Sequence, residues 1–152
     1  MNNLWDFLTN DTFLVALTAW FVAQALKIPI YYLVEKKWDF HRFYGSGGMP
    51  SSHSSMVVAT AAMIGTLEGL NSTVFALACV LGAIVMYDAS GVRQETGKQA
   101  KVINKIIRDF LIEGKELSNQ ELKEFVGHTR TEVFGGAIVG FLCWLGYYVL
   151  FL

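Results

Sequence analysis

The sequence predicts an all-α integral membrane protein: a single-domain bundle of four transmembrane helices, with an interfacial amphipathic helix between spans three and four. Hydrophobic residues make up 53% of the chain and the mean hydropathy is +0.40, both above the values of an ordinary soluble domain. All twelve Lys and Arg fall in or beside two segments, and the remaining apolar stretches carry none. At about 20 apolar residues per crossing, 152 residues accommodate four short spans and no second domain.

Four apolar stretches define the spans. The first covers about 12–34, and Lys27 and Pro29 interrupt its second half. The second covers about 52–69 and ends in a Glu-Gly-Leu-Asn-Ser stretch that predicts a tight turn into the third, about 73–87. The fourth covers about 133–152, where Trp144, Tyr147 and Tyr148 are typical of an aromatic belt at the membrane interface.

The two connecting loops, about 35–51 and 88–131, contain nearly all the basic residues, whereas the opposite side of the bundle has none. The positive-inside rule therefore places both loops in the cytoplasm and both termini outside. We expect an integral protein of the bacterial cytoplasmic membrane, with the face that carries the candidate site residues toward the cytoplasm.

The net charge of −1 argues against nucleic acid as a partner. Cys79 and Cys143 lie in apolar runs and are expected to act as small hydrophobic residues.

The long loop has amphipathic character of its own. Apolar residues recur there at helical spacing, and charged residues occupy the other face: Val102, Ile103, Ile106, Ile107, Phe110 and Leu111 against Lys101, Lys105, Arg108 and Asp109. This pattern predicts an interfacial helix whose basic rim attracts anionic headgroups; a helix packed beneath the bundle is the alternative. Ser118 and Glu121 then predict a capping box that starts a short structural helix.

Several polar or charged residues lie within or at the ends of the predicted membrane spans, where apolar residues are usual. Lys27 lies within an apolar run, so its amine either snorkels to the interface or points into a polar site. The run from Pro50 through Ser51 and Ser52 to His53 opens the second span, and a helix N-terminus with hydroxyls and free amides favours an anion such as phosphate. Simple helix capping by the serines is the alternative.

Two further clusters lie at the same end of the bundle. Asp88 and Arg93 follow the third span, either as a plain ion pair or as part of a site. His128 and Glu132 open the fourth span four residues apart, on one helical face, either as a surface pair or as a carboxylate that orients a histidine. The residues predicted to converge are Lys27, Arg42, Ser51, Ser52, His53, Asp88, Arg93, His128 and Glu132.

These blocks resemble a known superfamily. Pro50-Ser51-Ser52-His53 is similar to the Pro-Ser-Gly-His motif of the type 2 phosphatidic acid phosphatase and vanadium haloperoxidase superfamily, and His128 to Gly136 is similar to that superfamily's His-containing motif. The blocks at 47–53, 87–93 and 127–129 resemble more closely its divergent, four-span bacterial and plant branch. The resemblance covers nearly the whole chain.

The chain also departs from the superfamily's pattern. Arg93 precedes His128 by 35 residues, so that the amphipathic segment is an insertion between two positions that are usually close. Glu132 stands where an Asp is usual, and Ser52 where a Gly is usual. The first motif of the superfamily, a Lys followed by Arg-Pro, is not kept, since Lys27 and Arg42 lie 15 residues apart and no Pro follows Arg42.

The resemblance implies a metal-independent lipid-phosphate phosphatase that uses no cofactor. In this reading His128 attacks phosphorus to form a phosphohistidine, His53 protonates the leaving oxygen and later activates water, and Glu132 or Asp88 orients His128. The phosphate-binding residues implied are Lys27, Arg42, Ser51, Ser52 and Arg93. The substrate expected at the membrane surface is phosphatidylglycerophosphate, phosphatidate or a polyprenyl phosphate.

Two other functions stay open on the sequence alone. A non-catalytic membrane protein could bind or translocate a lipid phosphate with the same cations. A metal-dependent site could be built from Asp88, His53, His128 and Glu132, although none of the established ligand spacings is present. The sequence leaves the oligomeric state open, a homo-oligomer included.

Overall fold

The computed structural model describes residues 4–45, 47–112 and 128–152, without the side chains of residues 4, 93, 94 and 108–112. Within these residues every regular element is helical. The α-helices are α1 (Leu4–Leu8), α2 (Asp11–Glu35), α3 (Ser52–Glu68), α4 (Thr73–Ser90), α5 (Val92–Ile112) and α6 (Arg130–Phe151), and a 3₁₀ helix, Phe40–Phe43, lies in the loop after α2. The predicted all-α class is therefore confirmed.

Helix α3 lies at the centre of the bundle and packs against α2, α4 and α6, while α2 also packs against α6. The core where α2 and α3 meet consists of Val15, Ala19, Ala59 and Met63, against which Cys143, Trp144 and Tyr147 of α6 pack. At the contact of α2 with α3, the small side chains of Ala19 and Ala59 are fully buried. Because they let the backbones approach closely, van der Waals contact between helices can stabilise the bundle within lipid.

Helices α3 and α6 approach each other closely at two glycines of α6 that are four residues apart. A Cβ on Gly136 would overlap the Ser51 carbonyl oxygen, and a Cβ on Gly140 would overlap the Ser55 carbonyl oxygen. The side chain of Ser55 in turn donates to the carbonyl oxygen of Ala19 on α2, at 2.9 Å. These contacts fix the N-terminal half of α3 between α2 and α6.

Among the residues that the structure describes, three helical stretches are long and apolar enough to cross a membrane: Asp11–Glu35, Thr73–Ile107 and Arg130–Phe151. Their outer faces carry exposed large apolar residues, as lipid-facing helices do; examples are Leu77, Leu81 and Ile84 on α4 and Phe141, Leu142 and Val149 on α6. The membrane class is thus supported. Helix α3 has 17 residues, the short end of the range for a span, so the predicted fourth crossing stays a prediction.

The end of the bundle opposite the candidate site is held by two side-chain hydrogen bonds. Trp144 Nε1 donates to Thr66 Oγ1 at 2.9 Å, and the Tyr147 hydroxyl donates to Asp11 Oδ1 at 2.6 Å. They join the start of α2 and the end of α3 to the last turns of α6. Two of the three aromatic residues predicted to form a belt therefore also fasten helices together.

The predicted loop 88–131 is in large part helical. Helix α4 continues to Ser90, and α5 begins at Val92 after the single residue Gly91, whose N–H donates to the Tyr87 carbonyl oxygen at 2.8 Å. Among the described elements α5 packs only against α4. The apolar residues Val102, Ile103 and Ile106 of α5 are exposed, and so are Lys101 and Lys105. The apolar face and the basic rim predicted for an interfacial helix are therefore both accessible. The capping box predicted at Ser118 lies outside the described residues.

Candidate functional site

The two histidines singled out in the sequence lie together although 75 positions separate them. The rings of His53 and His128 have centroids 6.3 Å apart and meet edge to face at 70°. His53 lies in the first turn of α3, while His128 lies two residues before α6 begins and is 5% exposed. The histidine pair predicted at this end of the bundle is therefore present.

Backbone hydrogen bonds hold the two histidines in place. The His128 N–H donates to the Ala89 carbonyl oxygen near the end of α4, at 2.9 Å. The Ser51 N–H donates to the Glu132 carbonyl oxygen in the first turn of α6, also at 2.9 Å. The starts of α3 and α6 are thus joined to each other, and the end of α4 is joined to His128. Asp88 directly precedes Ala89 and is half-buried at the same corner.

The serines at the start of α3 are buried within this junction. The Ser51 Oγ caps the helix by accepting the Ser54 N–H at 3.3 Å, and it also receives the Ser54 hydroxyl at 3.0 Å. Ser51 is 0% exposed and Ser52 is 2% exposed. Capping, the alternative reading of the serine run, is therefore present for Ser51, and direct phosphate binding by either hydroxyl stays a prediction.

Lys27 is buried within the described part of the protein. It is 2% exposed, and the one hydrogen bond that its ammonium makes to the described residues is to the Gly45 carbonyl oxygen, at 3.2 Å. Glu132 attracts this ammonium and Arg42 repels it, so that all three charges act on the same small region. A buried ammonium has three N–H donors and is costly without anionic partners, which makes Lys27 a strong candidate for binding an anion.

Arg42 is placed by the 3₁₀ helix in the loop after α2. Asp39 caps that helix by accepting the His41 N–H, and its carboxylate lies 3.4 Å from Arg42 Nε. On the other side the guanidinium lies over the Tyr31 ring, 4.3 Å from its centroid, in a cation–π contact. Sequence reasoning missed both partners. The Asp-x-x-Arg spacing could have indicated Asp39, whereas the contact with Tyr31 depends on how the loop folds back on α2.

Glu132 has a local partner that the sequence interpretation did not include. Its Oε2 accepts the Thr129 N–H at 2.7 Å, and Thr129 Oγ1 accepts the Glu132 N–H at 3.3 Å. This is a capping box at the start of α6, and its signature, Thr-x-x-Glu, was available in the sequence. A role for Glu132 in orienting His128 stays a prediction, and it must be compatible with this bond.

The remaining predicted residues are less well defined. Arg93 lies in the first turn of α5, and its side chain is outside the described part of the chain. His41 is exposed in the 3₁₀ helix. Over residues 4–45, 47–112 and 128–152, no three His, Cys, Asp or Glu side chains are grouped as ligands of one metal ion.

The fold and this junction define the class of the protein: a helical membrane protein with two histidines, a buried lysine, an arginine and carboxylates at one end of its bundle. The family follows from comparison with known sequences. The chain belongs to the Divergent PAP2 family, whose sequence model matches residues 8–143. The predicted relation to the type 2 phosphatidic acid phosphatases is thereby supported at the level of a divergent family.

One relative extends the match over nearly the full length. The chain is 40% identical over 147 residues to a Bacillus subtilis (strain 168) protein described as "Uncharacterized membrane protein YuiD", covering 90% of this chain and 93% of that protein. Its description agrees with the membrane class found here. No solved structure matches the chain.

Proposed function

We propose that this protein is a metal-independent lipid-phosphate phosphatase that works through a phosphohistidine at the cytoplasmic face of the membrane. The observation that carries the proposal is the His53–His128 pair, 6.3 Å apart between ring centroids. The buried ammonium of Lys27, on which the charge of Glu132 at the start of α6 acts, adds a cation at the same end of the bundle. A pair of this kind supplies a nucleophile and a proton donor, and the cation supplies a place for the phosphate oxygens. Membership of the Divergent PAP2 family supports the same chemistry.

An in-line displacement at phosphorus requires the nucleophile and the acid to reach the same phosphoryl group. A nucleophilic nitrogen lies about 3–3.5 Å from the atom it attacks before reaction, and the acid lies about 2.6–3.2 Å from the oxygen it protonates. The proposal therefore places the phosphoryl group at the edge of the pair, within reach of one nitrogen of His128 and one nitrogen of His53.

The reaction has two steps. In the first, a ring nitrogen of His128 forms a bond to phosphorus while the ester P–O bond breaks, and His53 gives its proton to the departing alcohol. In the second, His53 takes a proton from water, whose oxygen attacks phosphorus as the N–P bond breaks. Inorganic phosphate leaves, and His128 regains its lone pair.

Of the two carboxylates, Asp88 is the better candidate for orienting His128. Asp88 is next to Ala89, whose carbonyl oxygen accepts the His128 backbone N–H. One carboxylate oxygen of Glu132, in contrast, already accepts the Thr129 N–H. We assign Glu132 a second task, to balance the charge of Lys27 when no phosphate is bound. Lys27, Arg42 and Arg93 then stabilise the equatorial phosphate oxygens together with the first amides of α3.

The membrane arrangement follows from the same proposal. Helices α2, α3, α4 and α6 all cross the bilayer, and α5 lies along the cytoplasmic surface with Val102, Ile103 and Ile106 toward the acyl chains and the lysines toward headgroups. A site at that surface receives a lipid whose phosphate stays at the headgroup level and whose tails remain in the bilayer. Phosphatidylglycerophosphate, phosphatidate and polyprenyl phosphates share this chemistry.

The test is phosphate release by the purified protein against these lipid phosphates, in chelator-containing buffer. His128→Ala should lower turnover by at least about a thousandfold while substrate binding persists, because the nucleophile is lost and the cations remain. His53→Ala should be impaired most for poor leaving groups, which depend on the proton. His41→Ala, a change in an exposed histidine outside the site, is the matched control and should keep full activity.

Trapping of acid-labile phosphate on wild-type protein, absent from His128→Ala, would support the covalent route directly. If the wild-type protein binds lipid phosphates but releases no inorganic phosphate from them, the non-catalytic function, binding or translocation of a lipid phosphate, would replace the proposal. Loss of activity on chelation would instead favour a metal-dependent reaction.

A further inference from the structure

Gln24 is a buried polar residue in α2 to which the proposed mechanism gives no role. It is 7% exposed, and its Oε1 has no hydrogen-bond partner among the described residues. A buried amide oxygen without a donor destabilises the folded protein, and such groups are rare unless a ligand or water supplies the donor. The residue therefore requires a partner that comes from outside the described chain.

Hydrogen bonds between α2 and its neighbours give the depth of Gln24. Ala19 accepts the Ser55 hydroxyl within α3, and Lys27 donates to Gly45 in the loop before α3. Gln24 lies between these two levels, beside the start of α3, and it shares the buried face of α2 with Lys27. Because the two are three positions apart in the helix, Gln24 is about 4.5 Å farther from the site end of the bundle than Lys27, toward its middle.

This position corresponds to the part of a lipid phosphate that joins the phosphate to the tails. When the phosphate oxygens contact Lys27, the next atoms toward the bilayer centre lie at the depth of Gln24. Ester and ether oxygens in this part of a lipid can only accept hydrogen bonds, and a hydrocarbon chain has neither donors nor acceptors. A hydroxyl group can donate, and a donor is what Oε1 lacks.

We propose that Gln24 is a specificity-determining residue that accepts a hydrogen bond from a hydroxyl on the carbon next to the phosphate-bearing carbon. The substrates favoured are therefore lipids whose phosphate is carried by a hydroxyl-bearing glycerol unit, in preference to phosphates attached directly to a hydrocarbon chain. The inference rests on the proposed function and narrows its substrate class.

The test compares two lipids that differ in that hydroxyl alone: 1-oleoylglycerol 3-phosphate and its 2-deoxy analogue. Wild-type kcat/KM should favour the first by about tenfold or more, the factor that corresponds to one hydrogen bond in a buried site. Gln24→Leu should abolish this preference by lowering kcat/KM for the hydroxyl-bearing lipid alone. Gln99→Leu, the same change at an exposed position of α5, should leave the preference intact.

Gln24→Met provides a second variant of similar shape, should Gln24→Leu fail to fold, and it should lose the preference in the same way. Equal losses on both lipids in a folded Gln24 variant would overturn the inference, because they indicate a packing role. Equal turnover of both lipids by the wild type would overturn it too, and would indicate that a buried water satisfies Oε1. Hydrolysis of neither lipid, nor of any other lipid phosphate, would remove the proposed function itself.

Discussion

The two carboxylates of the candidate site have different surroundings. Sequence spacing placed Glu132 on the same helical face as His128, but its carboxylate reaches back to the Thr129 N–H instead. Asp88 adjoins the residue that accepts the His128 backbone N–H. Side chains four positions apart on a helix are neighbours only when no nearer partner competes, and at a helix N-terminus the unpaired amides do compete.

We therefore expect Asp88→Asn to lower turnover by roughly 10²–10⁴-fold, since an oriented imidazole loses its correct tautomer when the carboxylate becomes an amide. Glu132→Gln should lower turnover by less than about tenfold, because Gln at this position still completes a capping box. Turnover of the two variants under identical conditions decides the matter. The reverse order of losses would return the orienting role to Glu132.

Other site residues were predictable to different degrees. The histidines and Lys27 were identified from the resemblance and from an ionisable residue within an apolar run, and the structure brings all three to one end of the bundle. The contact of Tyr31 with Arg42 and the burial of Gln24 were not predictable. Both depend on the relative placement of separate segments, and no local spacing encodes that placement.

At the scale of elements, hydropathy and capping residues predicted where three of the helices begin. The predicted spans at 12–34, 52–69 and 73–87 begin within one residue of the observed helices, because apolar runs and capping residues both mark those positions. The least accurate of these boundaries was the end of span three, predicted at 87, because α4 continues to Ser90 and α5 follows after the single residue Gly91, well before the predicted amphipathic stretch. Charged residues on an exposed helix face look like a loop when only hydropathy is considered.

The contact of α3 with α6 gives a prediction about stability. Gly140→Ala should destabilise the protein by about 1–3 kcal/mol, because the added methyl would overlap the Ser55 carbonyl oxygen and force the helices apart. Gly146→Ala, in the same helix, has open space around the new Cβ and should be neutral or stabilising by up to about 1 kcal/mol.

Thermal unfolding of both variants in the same detergent measures the difference. Equal unfolding temperatures would mean that α3 and α6 can move apart without loss of stability. The site would then not depend on their close contact.

For the whole molecule, the distribution of charge predicts an orientation that single cysteines can test. In a background without Cys79 and Cys143, a cysteine at Lys37 or Lys101 should react with a membrane-impermeant maleimide from the cytoplasmic side only, and one at Asn71 from the outer side only. A cysteine at Val102 should be protected by lipid, since α5 is proposed to lie with that face toward the acyl chains.

Labelling of residue 71 from the cytoplasm would contradict the orientation and four crossings together. Reaction at 102 as fast as at 101 would contradict only the interfacial position of α5. The two halves of this prediction can therefore fail separately.

The junction of α6 with the rest of the bundle has a consequence for the order of synthesis. Lys27, His53 and Asp88 all precede α6 in the chain, while His128 and Glu132 adjoin its start and Gly136 and Gly140 lie within it. A growing polypeptide therefore contains Lys27 long before the ribosome delivers His128 and Glu132. Under the proposed function, a newly made chain would stay inactive toward membrane lipids until α6 has docked against α3.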